Sequence, residues 1–373
     1  MDWHTSMCAR RFGFIIAVAT LAGASLPASA FARDAAGPTH TAARAETGGG
    51  VTEAVPTPAP AVRPPNPAHT SPTPQGDPTR SARAARLDVV KSWGIQLQEL
   101  DPATARSAPF DMLVTDATSG AKGGRALTPR EINQLKVKPD GSPRLLISYL
   151  SIGEAEDYRP DYFTPEYMTE DAPDWLLSEN ERWKGNRRIR FCEEGWQRTI
   201  LGDDDGRSVY NSIEPSPLYR LIEAGFDGVY LDRVDVYSEV EDQCPDAARQ
   251  MVAFVARLAA HARKKNPNFI VILQNAEELL ARKEMVNVID AVAKEDLFYG
   301  ADHTERANAP AMVNETLKNL KLARDAGRPV FVLDYLKDPA KRAADKAKIE
   351  AQGFIPYFGP RPLDVLWFAH ASH

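Results

Sequence analysis

Eight short apolar segments recur along this chain, separated by stretches whose apolar residues return with helical spacing. The strand candidates are Trp93–Leu100, Phe110–Asp116, Arg144–Ser151, Gly228–Asp232, Phe269–Gln274, Val288–Ala293, Pro329–Asp334 and Phe354–Phe358. Between them, Thr128-Pro-Arg-Glu131 reads as a capping box with proline at the first helical position. Met251, Val252, Val255, Leu258, Ala259 and Ala262 share one helical face that stops before Pro267, and Leu317 and Leu320 mark another helix ending at Gly327. Asp101 to Pro109 is too short for a good helix. Strands alternating with helices predict a parallel sheet, and eight strands are the number that closes a (β/α)8 TIM barrel. An open doubly wound sheet is the competing fold.

The first third of the chain lacks this pattern. Residues 1–32 read as an export signal: Arg10-Arg11, an apolar run from Phe12 to Ala24, then small residues at Ala28-Ser-Ala30 and Ala30-Phe-Ala32. The run is shorter than the ~20 residues that span a bilayer, so no stable membrane span is expected once the signal is cleaved. Residues 33–84 are rich in Pro, Ala and Thr, as in Pro64-Pro-Asn-Pro67, and read as a disordered or polyproline linker. The folded domain is then residues 85–373, secreted or periplasmic.

Charge and cysteine content narrow the picture. The net charge of −6 becomes −7 once Asp2, Arg10 and Arg11 leave, which argues against a nucleic-acid partner. Cys8 leaves with the signal. Export makes a bridge between the remaining Cys192 and Cys244 chemically permissible, although sequence does not supply its geometry.

In a barrel of this kind, chemistry sits where strands end. The polar residues there are Gln96 and Gln98, Asp116, Tyr149 and Glu154, Asp232 and Asp235, Gln274 and Asn275, Glu295, and Asp334 and Tyr335. Any one of them could be a helix cap or turn residue. Together they form a sugar-binding inventory, and acids ending the fourth and sixth strand segments fit a hydrolase of sugar polymers. The excursion from Gly153 to about Phe226 carries Trp175, Trp183 and Trp196, whose rings could stack on sugars or form the insertion's own core. Glu154, Glu156, Asp157, Glu239 and Glu241 are among the acids that would make the cleft negative and attractive to a cationic chain.

The residues also resemble a known family. Trp93-Gly-Ile-Gln-Leu-Gln98, Ile147-Ser-Tyr-Leu-Ser-Ile-Gly-Glu154-Ala-Glu156, Gly225-Phe-Asp-Gly-Val-Tyr-Leu-Asp232-Arg-Val-Asp235, Gln274-Asn275, Lys294-Glu295-Asp296-Leu-Phe298 and Ile355-Pro-Tyr357 are similar, in order, to glycoside hydrolase family 114. The resemblance covers about residues 90–366. It implies a (β/α)8 barrel with endo-acting α-1,4-polygalactosaminidase activity on galactosamine-containing exopolysaccharide, with Asp232 as nucleophile and Glu295 as acid/base. Asp235 is the rival nucleophile, able to join Asp232 only if the chain bends; otherwise it binds substrate or fixes Arg233. Tyr149, Gln274, Asn275 and Asp334 would hold hydroxyl or amino groups.

No cofactor is called for. The chain has no Gly-x-Ser-x-Gly elbow and no His-Glu-x-x-His helix, and Gly120-Ala-Lys-Gly-Gly124 lacks the ending of a phosphate loop. The expected partner is a polysaccharide, of which a cationic, partially deacetylated galactosaminoglycan is the candidate. The alternative is a non-catalytic barrel that binds polysaccharide during its export or assembly.

Overall fold

The computed structural model of this protein describes residues 78–120, 124–159, 170, 172–181, 183–208, 215–301 and 305–368. The export signal, the Pro-rich stretch as far as residue 77, positions 121–123 of the glycine-rich loop, and His370 and His373 lie outside the described residues. The first helix, α1 (Pro78–Asp88), takes in residues 78–84, which composition had placed in the linker. Its arginines explain the difference. Arg83 is buried and donates to Asp290 (2.9 Å) and the Pro267 carbonyl (2.8 Å), and Arg86 reaches Asp227 (2.5 Å). Partners 141 and 207 positions away leave no local trace in sequence.

The chain then runs through β1 (Trp93–Gln96), α2 (Pro102–Arg106), β2 (Met112–Thr115), α3 (Pro129–Leu135) and β3 (Leu145–Ser151). Asp101 caps the backbone N–H groups of Ala103 and Thr104, so the segment judged too short holds a five-residue helix. The excursion follows: β4 (Glu154–Glu156), β5 (Leu176–Glu179), β6 (Asn186–Ile189), α4 (Glu194–Leu201) and α5 (Pro217–Ala224). Its strands form a small antiparallel sheet in the order β4-β6-β5. Next come β7 (Gly228–Asp232), α6 (Ala247–Lys265), β8 (Ile270–Gln274), α7 (Lys283–Val288), β9 (Ala291–Glu295), α8 (Pro310–Asp325), β10 (Val330–Asp334), α9 (Pro339–Ala351) and β11 (Ile355–Phe358).

The main sheet has the parallel order β1-β2-β3-β7-β8-β9-β10-β11. A doubly wound sheet reverses its strand order at a switch point; this one never reverses, and it curls into a nearly closed (β/α)8 barrel. Both faces of its strands are covered, which is why they read as continuous apolar runs. Inside, Trp93 meets Phe331, Tyr357 and Tyr230 at ring separations of 5.5, 5.7 and 6.5 Å, filling the barrel with aromatics. Among the described residues no ladder joins β1 to β11. Side-chain and loop bonds close that seam instead: Trp93 Nε1 donates to the Ile355 carbonyl (3.0 Å), and Gln96 Nε2 to the Asp364 carbonyl (2.8 Å). Beside the seam lies a cavity of about 610 Å³, lined by Trp93, Arg342, Lys346 and Trp367 and touching neither Asp232 nor Glu295.

The sixth core strand is displaced from its expected place. Val288 ends α7 and Ile289 caps it, so the apolar run begins in the helix and β9 opens only at Ala291. Glu295 is therefore the last residue of its strand.

Candidate active site

Asp232 and Glu295 stand at the C-terminal ends of β7 and β9, with Gln274 ending β8 between them. Tyr149, on neighbouring β3, donates its hydroxyl to Asp232 (2.8 Å). Glu295 receives the Tyr335 hydroxyl and the Asn275 side-chain amide (3.2 Å), while its own backbone N–H donates to the Asn275 side chain (3.2 Å). Asn275 and Ala276 both adopt φ 52, a left-handed pair that turns the chain as it leaves β8. Gln274 is buried and accepts from Tyr230. Five expected site residues, Tyr149, Asp232, Asn275, Glu295 and Tyr335, thus meet in two linked clusters, with Gln274 between them.

The electrostatics follow from burial among neutral partners. Desolvation raises Asp232 to about 7, and the charges of Glu295 and Asp235 push the same way. Glu295 is also raised by desolvation, but the Tyr335 and Asn275 hydrogen bonds pull it down. Burial lifts the Tyr149 and Tyr335 hydroxyls well above their ordinary range, so both remain donors.

The chain does bend after Asp232. Arg233 sits at φ 59 and a 3-10 turn, Val234–Glu239, follows, with Asp235 near enough to raise the Asp232 carboxyl. Buried Arg233 is ringed by three carboxylates: Glu154 (3.2 Å), Asp235 (3.2 Å) and Glu239 (2.7 Å). Gly153 makes this possible, because a Cβ there would lie 2.1 Å from the Arg233 carbonyl. Glu154 accepts further from Asn180 (2.6 Å) and Asn186 (2.8 Å), which tie the β5–β6 loop to the mouth.

Several expectations change here. Glu154 and Glu156 are buried and ion-paired, so the mouth is less negative than its acid count implies. Asp116 pairs with Arg159 (2.6 Å), which Glu156 also holds (2.5 Å) and which lies over the Tyr149 ring at 5.4 Å. Gln96 and Gln98 fasten the seam loop instead of joining the carboxylates. Asp334 is fully buried, accepts from the Leu297 N–H (3.0 Å) and faces Asp345 of α9; burial and that neighbour raise it well above the usual carboxyl range. It cannot hold a substrate. Trp175 and Trp196 pack together at 5.1 Å in the insertion's core, leaving Trp183, half exposed in the β5–β6 loop, as the ring free to meet a ligand. Cys192 and Cys244 are bridged, tying the insertion to the loop before α6.

A carboxyl pair at the mouth of a parallel barrel agrees with what the whole chain matches. The family model for glycoside-hydrolase family GH114 covers residues 74–370. The chain belongs to that family. As a GH114 member it is a glycoside hydrolase, which implies a polysaccharide substrate. An uncharacterized protein of Deinococcus radiodurans is 35% identical over 305 residues, covering 80% of this chain and 90% of the relative. Another, from Methanocaldococcus jannaschii, is 31% identical over 290 residues, covering 74% and 77%. Among solved structures, the glycoside hydrolase domain of PelA from Pseudomonas aeruginosa shares the fold at TM-score 0.55 and 20% identity, over 74% of this chain and 97% of that domain.

Some parts of this GH114 site were not singled out from sequence. Lys294 pairs with Glu277 (3.1 Å), which also accepts from Thr316 (3.1 Å). Arg159 and Asn180 lie in the excursion, where the strand pattern offers no guide. Arg361 follows the last strand. Among the described residues no group of three or more His, Cys, Asp or Glu side chains is placed to hold a metal ion, and no helix is long and apolar enough to cross a membrane.

Proposed function

We propose that this protein is an exported, endo-acting, retaining glycosidase that cleaves α-1,4-linked galactosamine-containing polysaccharide with Asp232 and Glu295. The observation that carries the reading is a pair of desolvated carboxyls, at the ends of β7 and β9, held only by hydroxyl and amide donors. Burial raises both carboxyls above their ordinary range, Asp232 to about 7, as groups that hold and release a proton at a reacting bond require. Asp232 attacks the anomeric carbon as Glu295 protonates the leaving oxygen; water, deprotonated by Glu295, then releases the sugar from Asp232. Three carboxylates around one guanidinium leave excess negative charge at the mouth, and the Asp235 and Glu239 side chains are 29% and 27% exposed, which suits a sugar bearing a free amine.

One observation favours exchanged roles within the same pair. Glu295 has two side-chain donors favouring its ionised form, whereas Asp232 has one and is raised to about 7, so the resting proton belongs on Asp232. Azide separates the two. Asp232→Gly with azide should yield a glycosyl azide of inverted configuration and Glu295→Gly one of retained configuration; the opposite pattern makes Glu295 the nucleophile. Mass spectrometry after incubation with partially deacetylated galactosaminoglycan and a panel of neutral glycans tests the activity itself. If no polymer is shortened, a polysaccharide-binding barrel replaces the enzyme.

A further inference from the structure

The end of β9 is gripped from the closing segment of the chain. Asp296, next to Glu295, has φ 53, a conformation that a non-glycine residue holds only when its surroundings impose it. Those surroundings are specific. Both carboxylate oxygens of Asp296 accept from Arg361, at 2.8 and 3.2 Å. Asn308 donates to the carbonyls of Asp296 (2.7 Å) and Leu297 (3.0 Å). The same Arg361 guanidinium lies 4.0 Å from the centre of the Tyr335 ring, and the hydroxyl of that ring donates to Glu295. A guanidinium seated over an aromatic face attracts the ring and restricts its movement.

We propose that Arg361 is a positioning residue for Glu295: by clamping Asp296 and holding the Tyr335 ring, it keeps the Tyr335 hydroxyl on one carboxylate oxygen while the other accepts from the Asn275 amide. The proposal rests on Glu295 being one of the reacting carboxyls. It deepens that assignment by placing the control of Glu295 in a segment beyond the eighth strand.

The surrounding charges make the effect of losing Arg361 one-sided. Facing Glu295 are Asp232 and Tyr230 from β7, Tyr335 beyond β10, and Lys294 and Asp296 on its own stretch of chain. Lys294 is engaged by Glu277. Removing Arg361 takes away a cation and leaves Asp296 without its guanidinium partner, while the Tyr335 hydroxyl loses its constraint. All three changes favour the protonated form of Glu295.

The test uses the full chain labelled with ¹³C at glutamate carboxyls, with the Glu295 resonance assigned by its loss in Glu295→Gln. In Arg361→Gln its titration midpoint should rise by about one pH unit. Arg361→Lys, which retains charge but not the guanidinium's two-pronged grip on Asp296, should fall between that variant and wild type. Tyr335→Phe should shift the same way, and the double variant by less than the sum of the two. Where polymer is cleaved, Arg361→Gln should lower kcat at least tenfold with KM within twofold, and the corresponding limb of the pH profile should follow the resonance. A Glu295 midpoint unchanged in Arg361→Gln overturns the proposal; if that variant fails to fold, an unchanged midpoint in both Arg361→Lys and Tyr335→Phe does so. A wild-type protein that cleaves no glycan removes the glycosidase reading, but the titration still decides the role of Arg361.

Discussion

β7 and β9 each carry an acidic residue at either end, and the two ends of the barrel treat it differently. At the N-terminal end, Asp227 takes Arg86 (2.5 Å) and Lys136 (2.9 Å), and Asp290 takes Arg83 (2.9 Å) and Arg263 (2.7 Å). Each also accepts a strand N–H, from Leu146 and Val271 respectively. At the C-terminal end, the partners of Asp232 and Glu295 are hydroxyls and an amide. A carboxylate between two cations is a fastening, whose removal strands buried charge. A carboxyl among neutral donors is a group whose proton can move.

Exchanging acids for amides at the two ends should separate these roles most sharply. Asp232→Asn or Glu295→Gln should cut turnover at least ~10³-fold with the fold intact, as expected for groups acting on the reacting bond. Asp290→Asn should instead cost about 3–5 kcal/mol of stability and leave turnover per folded molecule near wild type, because Arg83 stays buried without its partner. Turnover and urea unfolding on the same preparations measure both; an Asp290 variant that is stable but inactive would break the comparison.

A smaller effect has the opposite sign at the mouth. Asp232 is raised in the folded protein to about 7, above its unfolded value near ~3.9, so the ionised state is disfavoured by folding. The stability tied to its protonated form is complete below the unfolded value and lost as pH rises through about 7. Asp232→Asn should therefore melt a few degrees higher than wild type at pH 8, on the order of 3 °C, and show no such gain at pH 4. Calorimetry at the two pH values checks this, and equal melting at pH 8 would show that the acid is not strained there.

The smallest expected change concerns the rim. Trp183 is 50% exposed in a loop whose flanking Asn180 and Asn186 both bind Glu154. Trp183→Ala should raise KM on polymer about three- to tenfold, the worth of one stacked ring, with kcat unchanged. An unaltered KM would leave the mouth without this platform.

Most of the barrel was legible because the barrel strands are apolar and the helices between them show either a capping box, as at Thr128 before α3, or an apolar face, as in α6. What escaped was non-local. Arg83 fell within the stretch read as linker, because its partner Asp290 lies 207 positions away, and Val288 and Ile289 suit a helix end as well as a strand start. The carboxyls, Tyr149, Asn275 and Tyr335 were legible as polar strand ends. Asp334 misled because successive strand residues face opposite sides: Tyr335 reaches the site, so Asp334, one residue earlier, turns towards α9. Glu154 and Asp116 were read as free acids because their arginines lie far along the chain or inside the excursion.

The Cys192–Cys244 bridge has a topological consequence. Residues 192–244 form a covalent ring, and β7 with Asp232 lies within it, as do α4, α5 and the exposed Asp204 and Asp205 of the turn between those helices. In the denatured chain a loop closed between cysteines 52 positions apart is worth about 4 kcal/mol of lost freedom. In the native protein it acts as insurance against nicking: a protease that cuts once in that turn opens the ring, but the two fragments stay covalently joined through the bridge, and the strand bearing Asp232 remains attached through its C-terminal side.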